Sequence, residues 1–278
     1  GGPQANLTVI DAALRPHQGA LCPVGGHINV HETGAVEATG HKVLTCPSDD
    51  GKITAEQVRQ TVLAHRADSS FEHMVQPKLV YISNPTEYGT LYSLAELTAL
   101  SETCRELGLY LFLDGARLGY GLMAEGYDVT MADIARLCDV FYIGGTKIGA
   151  LFGEALVIVN PEKFDDHFRY MIKRQGALLA KGRLISVQLK ALFEGGNESL
   201  YFELSRYENE LAVKLAKGIE EAGYEFWVPH QTNQLFVIMD NEKIAELEKD
   251  FFFYTWCPYD ETRSVIRLVT NWASKDDE

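Results

Sequence analysis

The sequence holds no apolar run near the roughly 18–20 residues that a membrane-spanning helix needs; its longest, residues 109–113 among them, have the length of a strand. Basic residues are scarce. There are 25 Lys and Arg against 39 Asp and Glu, for a net charge of −14, so no basic surface for nucleic acid is expected. The five cysteines, Cys22, Cys46, Cys104, Cys138 and Cys257, are scattered, odd in number and form no C-x-x-C pair. That usage suits buried thiols in a reducing compartment, and a cytoplasmic location is expected. No signal-peptide pattern is present. His27 and His31 stand four apart beside Glu32, but a third ligand and an H-E-x-x-H order are missing, so no metal site is expected.

What remains is an ordinary globular composition, 46% hydrophobic and 23% charged over 278 residues. From residue 6 to about 145, helical and strand patterns alternate. Leu7, Ile10 and Leu14 share a helical face after Asn6. Strands are expected at 20–22, 42–46, 78–83, 110–114 and 140–143. Thr54-Ala-Glu-Gln57 and Ser93-Leu-Ala-Glu96 are capping boxes that open helices, the second closing at Gly108. Such alternation predicts an α/β fold, a mostly parallel sheet covered by helices on both faces, with ligands beyond the C-terminal strand ends. Residues 155–159 follow too closely for a crossover and should run antiparallel. Helices are expected over 162–179, 186–194, 200–222 and 242–249, and short strands over 225–228, 235–239, 251–256 and 264–270. The boundaries suggest a large domain over residues 1–196 and a smaller α+β domain over 197–278.

Two strand ends carry the chemistry. Leu-Asp-Gly-Ala-Arg-Leu (113–118) and Tyr-Ile-Gly-Gly-Thr-Lys (142–147) each place a charged residue where an apolar strand stops. A lysine and a carboxylate side by side on one sheet edge suit pyridoxal phosphate, with Lys147 forming the Schiff base and Asp114 keeping the pyridine nitrogen protonated. Small residues around Lys147, Thr146 among them, leave room for a flat ligand. Separately, Lys147 could be a surface-loop lysine and Asp114 a turn aspartate; the pairing favours the cofactor reading. Arg117 could approach the cofactor's phenolic oxygen or a substrate carboxylate, or pair with Asp114. Gly1-Gly2-Pro3-Gln4-Ala5-Asn6 precedes a helix, where free N–H groups could meet a phosphate. The ring of His27 could stack on the pyridine. Arg267, flanked by Ile266 and Leu268, is a better carboxylate clamp than Arg263, which could equally face solvent.

Together these residues resemble the low-specificity L-threonine aldolases, in the β-eliminating lyase branch of fold type I pyridoxal phosphate enzymes. The resemblance rests on residues 25–35, 40–45, 84–90, 113–119, 141–150 and 153–158 and spans essentially the whole chain. It implies cleavage of β-hydroxy-α-amino acids, of the threonine or allo-threonine type, to glycine and an aldehyde. Lys147 would carry the cofactor, Asp114 would hold its ring nitrogen and His27 would stack on it. Gly2, Pro3, Gln4 and Thr146 would surround the phosphate. Arg117 and Arg267 would bind cofactor oxygen and substrate carboxylate, and a histidine, or a water it holds, would take the β-hydroxyl proton. Lys181 would reach the phosphate of a neighbouring subunit in a homodimer or homotetramer with sites at the subunit boundary. Alternatives on the same core are β-elimination and racemisation. Pro3 replaces the hydroxyl residue usual in the family's glycine loop. The family's N-terminal segment and C-terminal helix have no counterpart, so a fragment of a longer product is expected rather than a degenerate, non-catalytic copy.

Overall fold

The computed structural model describes residues 1–164 and 167–277. The chain runs α1 (Gly2–Ala13), β1 (Gln18–Pro23), α2 (His27–Val30), β2 (Lys42–Cys46), α3 (Ala55–Ala67), β3 (Gln76–Ser83), α4 (Leu94–Leu107), β4 (Tyr110–Asp114), α5 (Leu118–Leu122), α6 (Met131–Leu137), β5 (Val140–Gly144) and β6 (Glu154–Ile158). It continues through α7 (Phe168–Arg174), α8 (Arg183–Phe193), α9 (Leu200–Glu221), β7 (Glu225–Phe226), β8 (Gln234–Asp240), α10 (Asn241–Leu247), β9 (Tyr254–Pro258) and β10 (Arg263–Val269). Both expected capping boxes form, and Thr130 with Asp133 makes another at α6. Gly108 closes α4 in the left-handed conformation, at φ 70°, which a side chain would oppose.

Six strands build the main sheet in the order β2-β1-β3-β4-β5-β6, parallel except for β6, which runs antiparallel to β5. β3 explains why its sequence lacks polar alternation. Leu79 and Tyr81 pack with α1 through Val9 and Ile10, while Val80 and Ile82 pack with α3 and α4 on the other face. Both faces are covered, so the whole run is apolar. Strand order reverses between β1 and β3, and the loops after these two strands therefore diverge and leave a crevice at their C-terminal ends.

A second, antiparallel sheet has the order β7-β8-β10-β9. Along β8, Leu235, Val237 and Met239 face α9 and α10, whereas Phe236 and Ile238 pack on Tyr88, Trp227 and Trp256. Tyr88 belongs to the loop after β3, so this small sheet closes one side of the crevice.

Several expected boundaries shift. α1 begins at Gly2 rather than at residue 6, with Pro3 in its first turn, where a missing N–H is tolerated. The helix expected over 162–179 reduces to a 3₁₀ turn at Pro161–Lys163 and to α7, with residues 165 and 166 outside the described set. Gly176 ends α7 at φ 72°, with Ala177 N–H bonded to the Ile172 carbonyl (2.9 Å) and Gly176 N–H to that of Lys173 (3.1 Å). This is a C-terminal motif that glycine favours. β9 starts at Tyr254, not 251, because Phe251 donates its N–H to the Leu247 carbonyl and so completes the last turn of α10.

Candidate active site

Asp114 and Lys147 come together because two glycines let the ends of β4 and β5 touch. The Gly144 N–H bonds the Gly115 carbonyl at 2.9 Å. A Cβ on Gly115 would stand 1.9 Å from the Tyr142 carbonyl oxygen, and one on Gly144 would stand 2.4 Å from that of Ala116. No side chain fits either place. Past Gly144 the chain turns over Gly145 and Gly149, anchored by Gly145 N–H on Glu154 (2.8 Å) and by the Tyr120 hydroxyl on the Lys147 carbonyl. Lys147 and Asp114 thereby line one cavity of about 340 Å³, shared with Gly2, Pro3, His27, Glu87, Arg117 and Thr146.

Asp114 is 3% exposed and receives four donors. Oδ2 accepts from the Asn6 amide (3.0 Å) and the Tyr81 hydroxyl (2.6 Å). Oδ1 accepts from the Ala116 N–H (2.9 Å) and the Tyr142 hydroxyl. The turn role and the site role thus coexist: the bond to Ala116 shapes the loop, and the others fix the plane of the carboxylate. Asp114 and Arg117 form no ion pair, which sets aside the simple pairing considered from sequence.

Lys147 is largely buried. Desolvation first, and then the Arg117 guanidinium, lower its amine to about 8, against the opposing pull of Asp114, Glu87 and Glu154. At neutral pH it is far closer to its nucleophilic, uncharged form than a surface lysine.

His27 opens α2, and its Nδ1 lies 2.7 Å from Oε1 of Glu32, which also accepts the Asn6 amide at 2.7 Å. Asn6 therefore links His27, through Glu32, to Asp114. His31 lies 5.5 Å from His27 between ring centroids and 5.7 Å from Trp256. Burial first, and then His27, Arg267, Arg117 and Lys147, push its pKa down.

A second cavity of about 290 Å³ adjoins the first and is lined by His27, His31, Glu87, Arg117, Tyr254, Trp256 and Arg267. Period-2 alternation puts Arg267 there: Ile266 faces the α9 side, Val265 and Arg267 the crevice side. The guanidinium of Arg267 stacks 5.3 Å from the rings of Tyr254 and Trp256, and its buried Nε has no hydrogen-bond partner among the described residues. Arg263, in contrast, is taken up by Asp260 at 2.7 Å.

Two expected residues lie elsewhere. Lys181 is exposed and lines neither cavity. The Gln4 side chain donates to the Gln175 carbonyl (3.0 Å), leaving its backbone N–H at the start of α1 as the group available there. Thr146 lines the cavity, with its hydroxyl 3.2 Å from Glu154. Sequence reading missed Glu87, Asn6, Glu32, Tyr81 and Tyr142. Glu87 stood in view, just past an apolar strand in Asn-Pro-Thr-Glu (84–87); the others become polar partners only once the fold brings them to Asp114.

The donor set fits pyridoxal phosphate. A depressed lysine amine and a buried carboxylate bound the same cavity, and the first turn of α1 borders it at Gly2 and Pro3; the N–H groups of Gly2 and Gln4 have no partner within the helix, and Pro3 has none to offer.

Residues 1–242 match the beta-eliminating lyase family. The chain is similar to the low specificity L-threonine aldolase of Pseudomonas sp. (strain NCIMB 10558), at 32% identity over 99% of this chain and 77% of that protein. The corresponding Pseudomonas aeruginosa aldolase shares 29% identity over 92% and 72% of the two chains. Among solved structures, Leishmania major threonine aldolase superposes with a TM-score of 0.94 at 47% identity, covering 100% of this chain and 79% of the other. Thermus thermophilus aspartate aminotransferase shares the fold alone, with a TM-score of 0.69 at 17% identity, over 100% of this chain and 71% of its own. The Asp114–Lys147 cavity and these similarities lead to one assignment: the chain belongs to the beta-eliminating lyase family, on its threonine aldolase branch.

Proposed function

We propose that the protein is a pyridoxal phosphate-dependent aldolase that cleaves β-hydroxy-α-amino acids of the threonine type to glycine and an aldehyde. One observation carries the reading: Lys147 and Asp114 bound the same cavity, and a cavity with free guanidinium capacity opens beside it. When bound, the cofactor supplies an electron sink for the pair released at Cα. The chain's own residues do the rest. Lys147 holds the cofactor, Asp114 bonds its ring nitrogen, His27 covers the ring, and Gly2, Pro3, Gln4 and Thr146 surround the phosphate. Arg267, with Arg117, fixes the substrate carboxylate by charge-assisted hydrogen bonds, which sets the bond to be broken against the ring.

The family's own description favours β-elimination as the second reading, and racemisation would use the same residues. A substrate panel separates them. Aldehyde from L-threonine or L-allo-threonine supports the aldolase; ammonia and a keto acid without aldehyde would replace it with the lyase. A chain that takes up no pyridoxal phosphate would be a non-catalytic relative.

We further propose a division into a cofactor domain over residues 1–196 and a smaller domain over 197–278, the latter carrying Arg267. The exposure of Lys181 is consistent with a homodimer or homotetramer in which it serves a neighbour's phosphate. The five free thiols suit a reducing, cytoplasmic setting. No helix among the described residues is long and apolar enough to cross a membrane.

A further inference from the structure

We propose that Glu87, rather than a histidine, is the group that takes the proton from the substrate's β-hydroxyl; this rests on the aldolase reading above. The two cavities share three side chains, His27, Glu87 and Arg117. In a β-hydroxy amino acid the amine belongs at the Lys147 cavity and the carboxylate at Arg267, so the carbon bearing the hydroxyl lies where the two cavities meet. Arg117 has no proton acceptor to offer. His27 has its Nδ1 held by Glu32 at 2.7 Å, and the reading above commits its ring to the face of the cofactor. His31 borders only the second cavity. Asp114 and Glu154 border only the first.

Glu87 is positioned as a base should be. It stands in the loop after β3, against the N-terminus of α2 at His27, and is 6% exposed. Its Oε1 accepts the Ser83 hydroxyl at 2.6 Å and the His27 backbone N–H at 3.0 Å, which fixes the carboxyl plane. Its Oε2 accepts no hydrogen bond from another described residue, and the side chain lines both cavities. Burial, and then Asp114, raise the pKa of Glu87 while His27 lowers it; Arg117 and Lys147 are the other charges that feel it. A base poised above the ordinary carboxylate range keeps a transferred proton more readily near neutral pH.

In the step, the β-hydroxyl proton moves to Oε2 of Glu87, and the O–H electron pair becomes the second bond of the aldehyde carbonyl. The Cα–Cβ bond breaks and its pair stays with the glycine fragment. One proton then returns to Cα, so substrate equals glycine plus aldehyde and nothing is oxidised or reduced.

The test uses the pyridoxal phosphate-loaded enzyme and two variants. Glu87→Gln keeps the shape of the side chain and should lower kcat for threonine cleavage by about 10²–10⁴-fold. It should leave the cofactor's visible absorption unchanged and keep exchange of glycine's α-proton in D₂O, which needs no β-hydroxyl base, within about threefold of the parent. Glu87→Ala should recover cleavage when formate is added, a rescue that a merely structural role would not allow. The proposal is overturned if Glu87→Gln cleaves threonine within about threefold of the parent, or if it loses glycine exchange as fully as cleavage. If the unaltered enzyme exchanges glycine but releases no aldehyde, the aldolase reading falls and this proposal with it; cleavage by parent and variant alike removes the proposal alone.

Discussion

At Asp114 each carboxylate oxygen is matched inside the chain, by Asn6, Tyr81, Tyr142 and the Ala116 N–H. Across the crevice, Arg117 and Arg267 face each other's charge, and neither forms an ion pair among the described residues. The Asp114 carboxylate is thus satisfied within the chain. The second region stacks the Arg267 guanidinium on Tyr254 and Trp256 and has no carboxylate partner for it among the described residues. On the proposed reading, Asp114 would orient a resident ring and the two arginines would receive a carboxylate passing through.

That contrast can be broken from either side. The largest effect is expected for Asp114→Ala, which strands Asn6, Tyr81 and Tyr142 in the core; thermal or urea unfolding should show a loss of ~3 kcal/mol or more, along with loss of activity. Arg267→Ala should act oppositely. Its unfolding free energy should change by under ~1 kcal/mol, while KM for threonine rises about 10–100-fold, the worth of a charge-assisted bond to a carboxylate. Equal effects on stability at both sites would erase the distinction. Tyr142→Phe removes one of the four donors and should destabilise by ~1–3 kcal/mol, with weaker cofactor binding in a spectral titration.

The smallest effect concerns Glu208 on α9, fully buried, whose carboxyl is raised to about 8 by desolvation and whose two oxygens have no hydrogen-bond partner among the described residues. Between the ordinary glutamate pKa and about 8, the unfolded chain has released this proton and the folded chain retains it. The contribution of Glu208 to stability is therefore complete at low pH and declines as pH rises through that window. Glu208→Gln should stabilise the protein by ~1 kcal/mol or more at pH 8 and by much less at pH 5, as unfolding at the two pH values would reveal.

The parts legible in sequence were those set by local rules. Capping boxes and apolar runs gave the strands whose ends carry Asp114 and Lys147, and alternation in β10 gave Arg267 its direction. The misread stretch was the long helix over 162–179, where the glycine at 176 outweighed the helical pattern. Glu87 was legible as a residue but not as a role. Its meaning comes from the reversal of strand order between β1 and β3, which no local pattern encodes. Asn6, Glu32, Tyr81 and Tyr142 were hidden for the same reason: they meet only when a helix and three strands converge.

The central claim is that Lys147 and Asp114 make one pyridoxal phosphate site, and titrating the cofactor while following visible absorption tests it most directly. With the unaltered protein we expect a saturable band at one equivalent per chain, forming faster as pH rises through about 8, where the Lys147 amine loses its proton; with Lys147→Ala that band should be absent. The same spectrum from both proteins would contradict the account.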